Sequence, residues 1–137
     1  MEFSAVIVAA GASTRAGPGL AKPWRDLAGR PVIAWSIEAL AGAGATRIVV
    51  VTTADRREDA AALLAGLPSP QVVIGGASRA DSVQAGLAAL DAGDDTPVLI
   101  HDAARPFVPR ACIEALLAAL GDHDGAIPGL PLADTLK

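Results

Sequence analysis

The 137-residue chain has no tyrosine, and only 3% of it is aromatic. A stacking platform for single-stranded nucleic acid is therefore not available. Positive charge is scarce as well: eleven Lys and Arg stand against fifteen Asp and Glu, for a net charge of −4. That balance excludes a broad phosphate-backbone binding face, and with it a nucleic-acid partner. Cys112 is the single cysteine, so an intrachain disulfide and a Cys-rich zinc site are both ruled out. Long apolar runs are missing too. The stretches Ala5 to Ala10 and Ile48 to Val51 fall far short of the ~20 residues a bilayer span requires. The opening Met1-Glu2-Phe3-Ser4 carries an acid where a secretory signal needs basic residues. No lipidation motif and no fixed-period repeat is seen. The expectation is a cytoplasmic domain without a membrane partner.

What the chain does have is alanine, 31 residues of it, within a 52% hydrophobic composition. Alanine favours helix at almost no side-chain entropy cost. A chain of this length makes one domain and buries about 68–70% of the surface its unfolded form exposes. One domain over residues 1–137 is expected, since no Ser/Gly-rich linker or charge block divides the sequence.

Short β-branched runs alternate with helical stripes. Strands are expected at Ala5-Val6-Ile7-Val8, Ile48-Val49-Val50-Val51, Val72-Val73-Ile74 and Val98-Leu99-Ile100, with a weaker fifth at Ala126-Ile127. Their apolar residues run continuously, as in parallel strands buried on both faces. Ile33, Ile37 and Leu40 fall at i, i+4, i+7, as do Val83, Leu87 and Leu90. Ala60, Leu63, Leu64 and Leu67 make a fuller stripe, repeated by Ile113, Leu116, Leu117 and Leu120. Pro31 fits a first helical turn, and Gly66 and Gly121 fit stopping points. The order predicts a three-layer α/β domain with a mostly parallel sheet.

In such a sheet the ligand lies beyond the carboxyl ends of the strands. Three polar or glycine-rich segments fall there: Gly11 to Lys22, Gly75 to Ser82 and His101 to Pro106. The first has neither the glycines of a dinucleotide fingerprint nor those of a Walker loop. It offers backbone N–H groups that cradle phosphates and two cations, Arg15 and Lys22, to neutralise them. The alternative is a surface loop with two solvated charges. In the second segment Ser78 or Asp81 caps the following helix, while the glycines admit a base or sugar close to the backbone and Ser82 faces the same ligand. In the third, Asp102 suits a Mg²⁺ ion that also takes phosphate oxygens. Its alternative is an ion pair with Arg105 or a turn cap. His101 lacks a second histidine at ligand spacing, and His123 reads as a solvated residue of the Gly121-Asp122-His123-Asp124-Gly125 turn. Trp24, Trp35 and Cys112 read as packing, Cys112 as a buried inert thiol.

The loop Ala9-Ala10-Gly11-x-x-x-Arg15 with a following Lys22 resembles the signature of sugar-nucleotide-type nucleotidyltransferases. Arg79-Ala80-Asp81-Ser82-Val83 and His101-Asp102-Ala103-Ala104-Arg105-Pro106 narrow the likeness to the 2-C-methyl-D-erythritol 4-phosphate cytidylyltransferases of non-mevalonate isoprenoid synthesis. The ending Pro131-Leu132-Ala133-Asp134-Thr135-Leu136-Lys137 resembles the same family's Pro-x-x-Asp-Thr-x-Lys segment. The resemblance implies a Rossmann-like nucleotidyltransferase domain, with CTP and a sugar-alcohol phosphate as substrates and Mg²⁺ as cofactor. It further implies that Ala9, Ala10 and Gly11 contact the nucleotide through backbone. Gly76 and Ser82 would hold the cytosine end, with Ala103 beside it. Arg15 and Lys22 would stabilise phosphate charge, Asp102 would bind Mg²⁺, and Thr135 would touch the acceptor phosphate.

The chain departs from the pattern in three places. Pro23-Trp24 follows Lys22 where the family has glutamine and another aromatic, and Ala77 stands at a place that is often acidic. Family chains also run well beyond this length, so the chain reads as an amino-terminal portion truncated at its C-terminus. The rest would supply further acceptor-binding residues and the arm of a homodimer, and in some relatives it continues into a cyclodiphosphate synthase. Two other functions stay open: a cytidylyltransferase for another polyol phosphate such as ribitol 5-phosphate, and a non-catalytic nucleotide-binding module.

Overall fold

A computed structural model describes residues 2–11, 19–68, 70–93 and 95–131. Four strands form one parallel sheet: β1 (Phe3–Val8), β4 (Ala45–Thr52), β5 (Gln71–Ile74) and β6 (Val98–Asp102), in the order β5-β4-β1-β6. A small antiparallel pair, β2 (Asp26–Leu27) and β3 (Arg30–Pro31), lies apart from it. The helices are α1 (Val32–Gly42), α2 (Arg57–Leu63), α3 (Arg79–Leu90) and α4 (Arg110–Ala119). All four main expected strands form. Their in-register pairing sets Val6 beside both Val49 and Ile100, and Val8 beside Val51 and Asp102.

Alternation along β1 divides the interior in two. Phe3, Ala5 and Ile7 share a core with Ile48 and Val50, with Ile33, Ile37 and Leu40 of α1, and with Ile113 and Leu117 of α4. Val6, Val49 and Val51 turn the other way and pack with Leu90 of α3.

Several expectations need correction. Leu63, placed on the α2 stripe, is 51% exposed, and β5 and β6 are only partly buried rather than covered on both faces. Ala126-Ile127 is not a strand; Ile127 is 90% exposed. Only two apolar residues stand between Gly125 and Pro128, and Pro128 has no N–H to give a ladder. On α3 the buried positions are Ser82, Gly86 and Leu90 rather than the stripe Val83, Leu87, Leu90, and Leu87 is 41% exposed. Apolar spacing missed this face because its central contact is a glycine: a Cβ on Gly86 would collide with Val6 Cγ1 and lie 2.9 Å from Val51 Cγ2. Cys112 is half-buried rather than enclosed. The β2–β3 hairpin has no counterpart in the sequence reading. Its turn residues Ala28 and Gly29 both have positive φ, 56° and 81°, the requirement of a tight hairpin turn. Alanine at the first of them hides the signal that Asn or Asp would give.

Candidate functional site

The described residues of the three segments singled out in the sequence converge at the carboxyl ends of β1, β5 and β6. They enclose a cleft of about 640 Å³ lined by Ala9, Ala10, Gly11, Lys22, Gly76, Ser82, Asp102 and Ala103, among others. Eight of the ten expected site residues therefore line one space. Arg15 and Thr135 lie outside the described residues.

Each wall has a local cause. β1 delivers Ala9 and Ala10 as it leaves the sheet, and the Ala9 N–H still donates to Val51 O at 2.7 Å. Lys22 opens a short 3₁₀ turn with Pro23 and Trp24, both buried. Trp24 belongs to the core beside α1, which ties the backbone of Lys22 to the cleft wall. Arg25 steadies the same turn by donating from Nε to Leu20 O at 2.8 Å.

The second wall is the start of α3. Ser78 is its N-cap and accepts from the Asp81 N–H at 3.1 Å, while Asp81 Oδ2 accepts from the Ser78 N–H at 3.0 Å. This reciprocal box satisfies two donors at the helix entrance. Both residues proposed as caps thus serve, and Asp81 is engaged by its own helix. A Cβ on Gly76 would collide with Asp81 Cβ, and one on Gly75 would lie 2.6 Å from Ser82 Oγ. The two glycines are what let the loop lie flat against the helix. Ser82 is 2% exposed and donates from Oγ to Ser78 O at 2.9 Å. With its one proton committed, the hydroxyl keeps only acceptor capacity for a ligand. Ser78, Arg79 and Ser82, at the start of α3, line the cleft.

The third wall is the end of β6. His101 pairs in register with Ile7 and Asp102 with Val8, so the two residues point to opposite faces of the sheet. Asp102 faces the cleft and meets two guanidinium groups, Arg79 Nη2 at 3.0 Å and Arg105 Nε at 3.4 Å. The Arg105 pairing, at i, i+3, is the alternative the sequence offers for Asp102. The Arg79 pairing spans 23 positions and needs the topology to be seen. His101 Nε2 lies 2.9 Å from Arg105 O. A carbonyl can only accept, so Nε2 carries the proton. Ser36 of α1 donates to the same carbonyl at 3.4 Å. Burial lowers the His101 pKa from 6.5, against opposing effects of the Arg105 hydrogen bond and the Asp102 charge. Neither His101 nor Ser36 stood out in the sequence as a support of this turn.

A profile of the 2-C-methyl-D-erythritol 4-phosphate cytidylyltransferase family matches residues 3–137. The chain belongs to this family. It is 61% identical over 138 aligned positions to the bifunctional enzyme IspD/IspF of Caulobacter vibrioides, covering 100% of this chain and 36% of that protein. Against the bifunctional enzyme IspD/IspF of Rhodobacter capsulatus the identity is 50%, covering 99% and 35%. Among solved structures, bifunctional IspDF from Campylobacter jejuni superposes with a TM-score of 0.82 at 26% identity, covering 100% of this chain and 35% of that one. A nucleotidyl transferase from Methanothermobacter gives 0.71 at 26%, covering 85% and 56%. The chain thus spans about a third of the length of the curated relatives it matches. No helix among the described residues is long and apolar enough to cross a membrane.

Proposed function

We propose that the protein transfers a cytidylyl group from CTP to 2-C-methyl-D-erythritol 4-phosphate and releases diphosphate, with residues 1–137 as its nucleotide-binding domain. One observation carries this reading: the residues that match the family's motifs, far apart in sequence, line one cleft at the carboxyl end of the sheet. An oxygen of the acceptor's phosphate attacks the α-phosphorus of CTP, a new P–O bond forms, and the bond to the departing diphosphate breaks. No protein nucleophile is needed, so the chain contributes position and charge. The backbone at Ala9, Ala10 and Gly11 lies against the nucleotide, and Lys22 and Arg15 neutralise its phosphates. Gly76, Ser82 and Ala103 form the base end. A Ser82 hydroxyl that can only accept suits the amino group of cytosine and disfavours the carbonyl that uracil carries at that place. Thr135 contacts the acceptor phosphate.

Mg²⁺ fits the cleft as a companion of the nucleotide rather than a resident ion. Asp102 is the carboxylate on the cleft wall, and among the described residues no three His, Cys, Asp or Glu gather into a metal site. Mg²⁺ commonly binds through one or two carboxylates plus substrate phosphates. Asp102 would hold it, and the ion would offset charge on the phosphates. The family resemblance also supports a homodimeric, cytoplasmic full-length protein.

Diphosphate release by the full-length protein tests the assignment. CTP with 2-C-methyl-D-erythritol 4-phosphate should give turnover, with UTP weaker and ATP and GTP poor. Turnover only with ribitol 5-phosphate would move the enzyme to another acceptor. Tight CTP binding without turnover on either acceptor would leave a nucleotide-binding module, and ATP binding more tightly than CTP would overturn the base site.

A further inference from the structure

Asp102 has a guanidinium in front of each of its oxygens. Arg79 Nη2 stands 3.0 Å from Oδ1, reaching from the first turn of α3 across the cleft mouth, and Arg105 Nε stands 3.4 Å from Oδ2. The two arginine side chains are largely exposed, 63% and 78%, and ion pairs so open to water add little to stability. Their effect falls instead on the carboxylate. A bare carboxylate at this rim would repel a triphosphate, and one already engaged is not free for a cation.

We propose that Arg79 is a displaceable counter-charge for Asp102, holding its carboxylate until a divalent cation arrives with the nucleotide and then giving it up. The inference rests on the reading of Asp102 as the cation's ligand. A cation that takes Oδ1 meets the Arg79 guanidinium beside it, a repulsion that grows as the entering nucleotide excludes water. Arg79 and the cation therefore compete for one oxygen. The Ser78–Asp81 capping box fixes the backbone from which Arg79 extends, so the competitor is always within reach. Asp102 is thus kept from repelling the incoming phosphates, at the expense of part of the cation's binding strength. Arg79 acts through Asp102 and is a positioning residue.

Calorimetric titration of CTP into the full-length protein, with and without Mg²⁺, gives the factor by which the metal tightens nucleotide binding. In Arg79→Gln that factor should rise about two- to five-fold, the equivalent of losing one exposed ion pair that opposed the metal. The charge lost from the cleft also weakens metal-free binding, so the decisive measurement is the double variant. In an Asp102→Asn background, Arg79→Gln should leave the factor unchanged, because the shared oxygen no longer holds a charge. A factor that stays level or falls in Arg79→Gln overturns the proposal. So does an equal rise in the Asp102→Asn background, which would assign Arg79 to the phosphates directly. The underlying reading fails separately: Asp102→Asn alone would then keep the full Mg²⁺ effect.

Discussion

On one face of the sheet, three helices bring bulk: Ile33, Ile37 and Leu40 of α1 meet Phe3, Ile7 and Val50, with α2 and α4 alongside. On the other, α3 comes down almost bare, with Ser82 and Gly86 at the contact and Leu90 as its one large buried side chain. The first face carries most of the apolar burial. The second sets a distance, because the glycine brings the helix axis close to Val6 and so fixes where Ser82, Gly76 and Arg79 stand around the cleft. Stability and ligand geometry are to a large extent assigned to opposite faces.

The sharpest way to break that division is to damage each face separately. Ile37 is fully buried, and Ile37→Ala should cost about 2–5 kcal/mol through lost transfer energy and the cavity left behind. CTP affinity of the protein that remains folded should hardly change, since Ile37 does not border the cleft. Urea unfolding and calorimetry check the two halves of this expectation. A large loss of CTP affinity would mean that the α1 face also shapes the site.

Gly86→Ala is the converse. Alanine in place of a helical glycine gains up to about 1 kcal/mol of helix propensity, but the new methyl meets Val6 and Val51, both fully buried and unable to yield. Overpacking of this kind costs typically 1–3 kcal/mol, so net destabilisation is expected, smaller than for Ile37→Ala. CTP affinity should fall more than in Ile37→Ala, because α3 must lift and carry Ser82 with it. A variant more stable than the wild type with unchanged affinity would show that the close approach has no functional consequence.

The same contrast explains what the sequence disclosed. Large apolar residues announce themselves by period, so the α1 and α4 stripes and the four strands were legible. The α3 contact was not, since Ser82 and Gly86 carry no hydrophobic signal and the spacing of Val83 and Leu87 pointed to the neighbouring stripe. The cleft was legible because its walls are strand ends rich in glycine and charge. What escaped were links between segments: Arg79 with Asp102, and Ser36 with the carbonyl of Arg105. Such contacts depend on which helix crosses which strand, and local pattern does not encode that.

The smallest effect lies where the two faces share a strand end. His101 turns toward the α1 face while Asp102 turns toward the cleft, and Arg105 joins them by giving its carbonyl to one and its guanidinium to the other. Acid does not remove the His101 hydrogen bond, since Nε2 keeps its proton when Nδ1 gains one. It does place a charge in a partly buried ring, and that burial is the largest cause of the lowered pKa, with Arg105 adding repulsion and Asp102 opposing it. Between the folded pKa and the unfolded value of 6.5, the unfolded chain binds more protons than the folded one. This contribution to stability is therefore fully present above 6.5 and is lost as pH falls through 6.5 toward the folded value. Many carboxylates titrate further down, so the wild type alone cannot isolate the effect. The difference in unfolding free energy between the wild type and His101→Gln can, because His123 and the carboxylates are common to both. That difference should move against the wild type as pH is lowered from 8 to 5. A difference that stays flat over this range would mean that His101 is as well hydrated folded as unfolded, and that the turn presenting Asp102 belongs to the open rim rather than to the packed face.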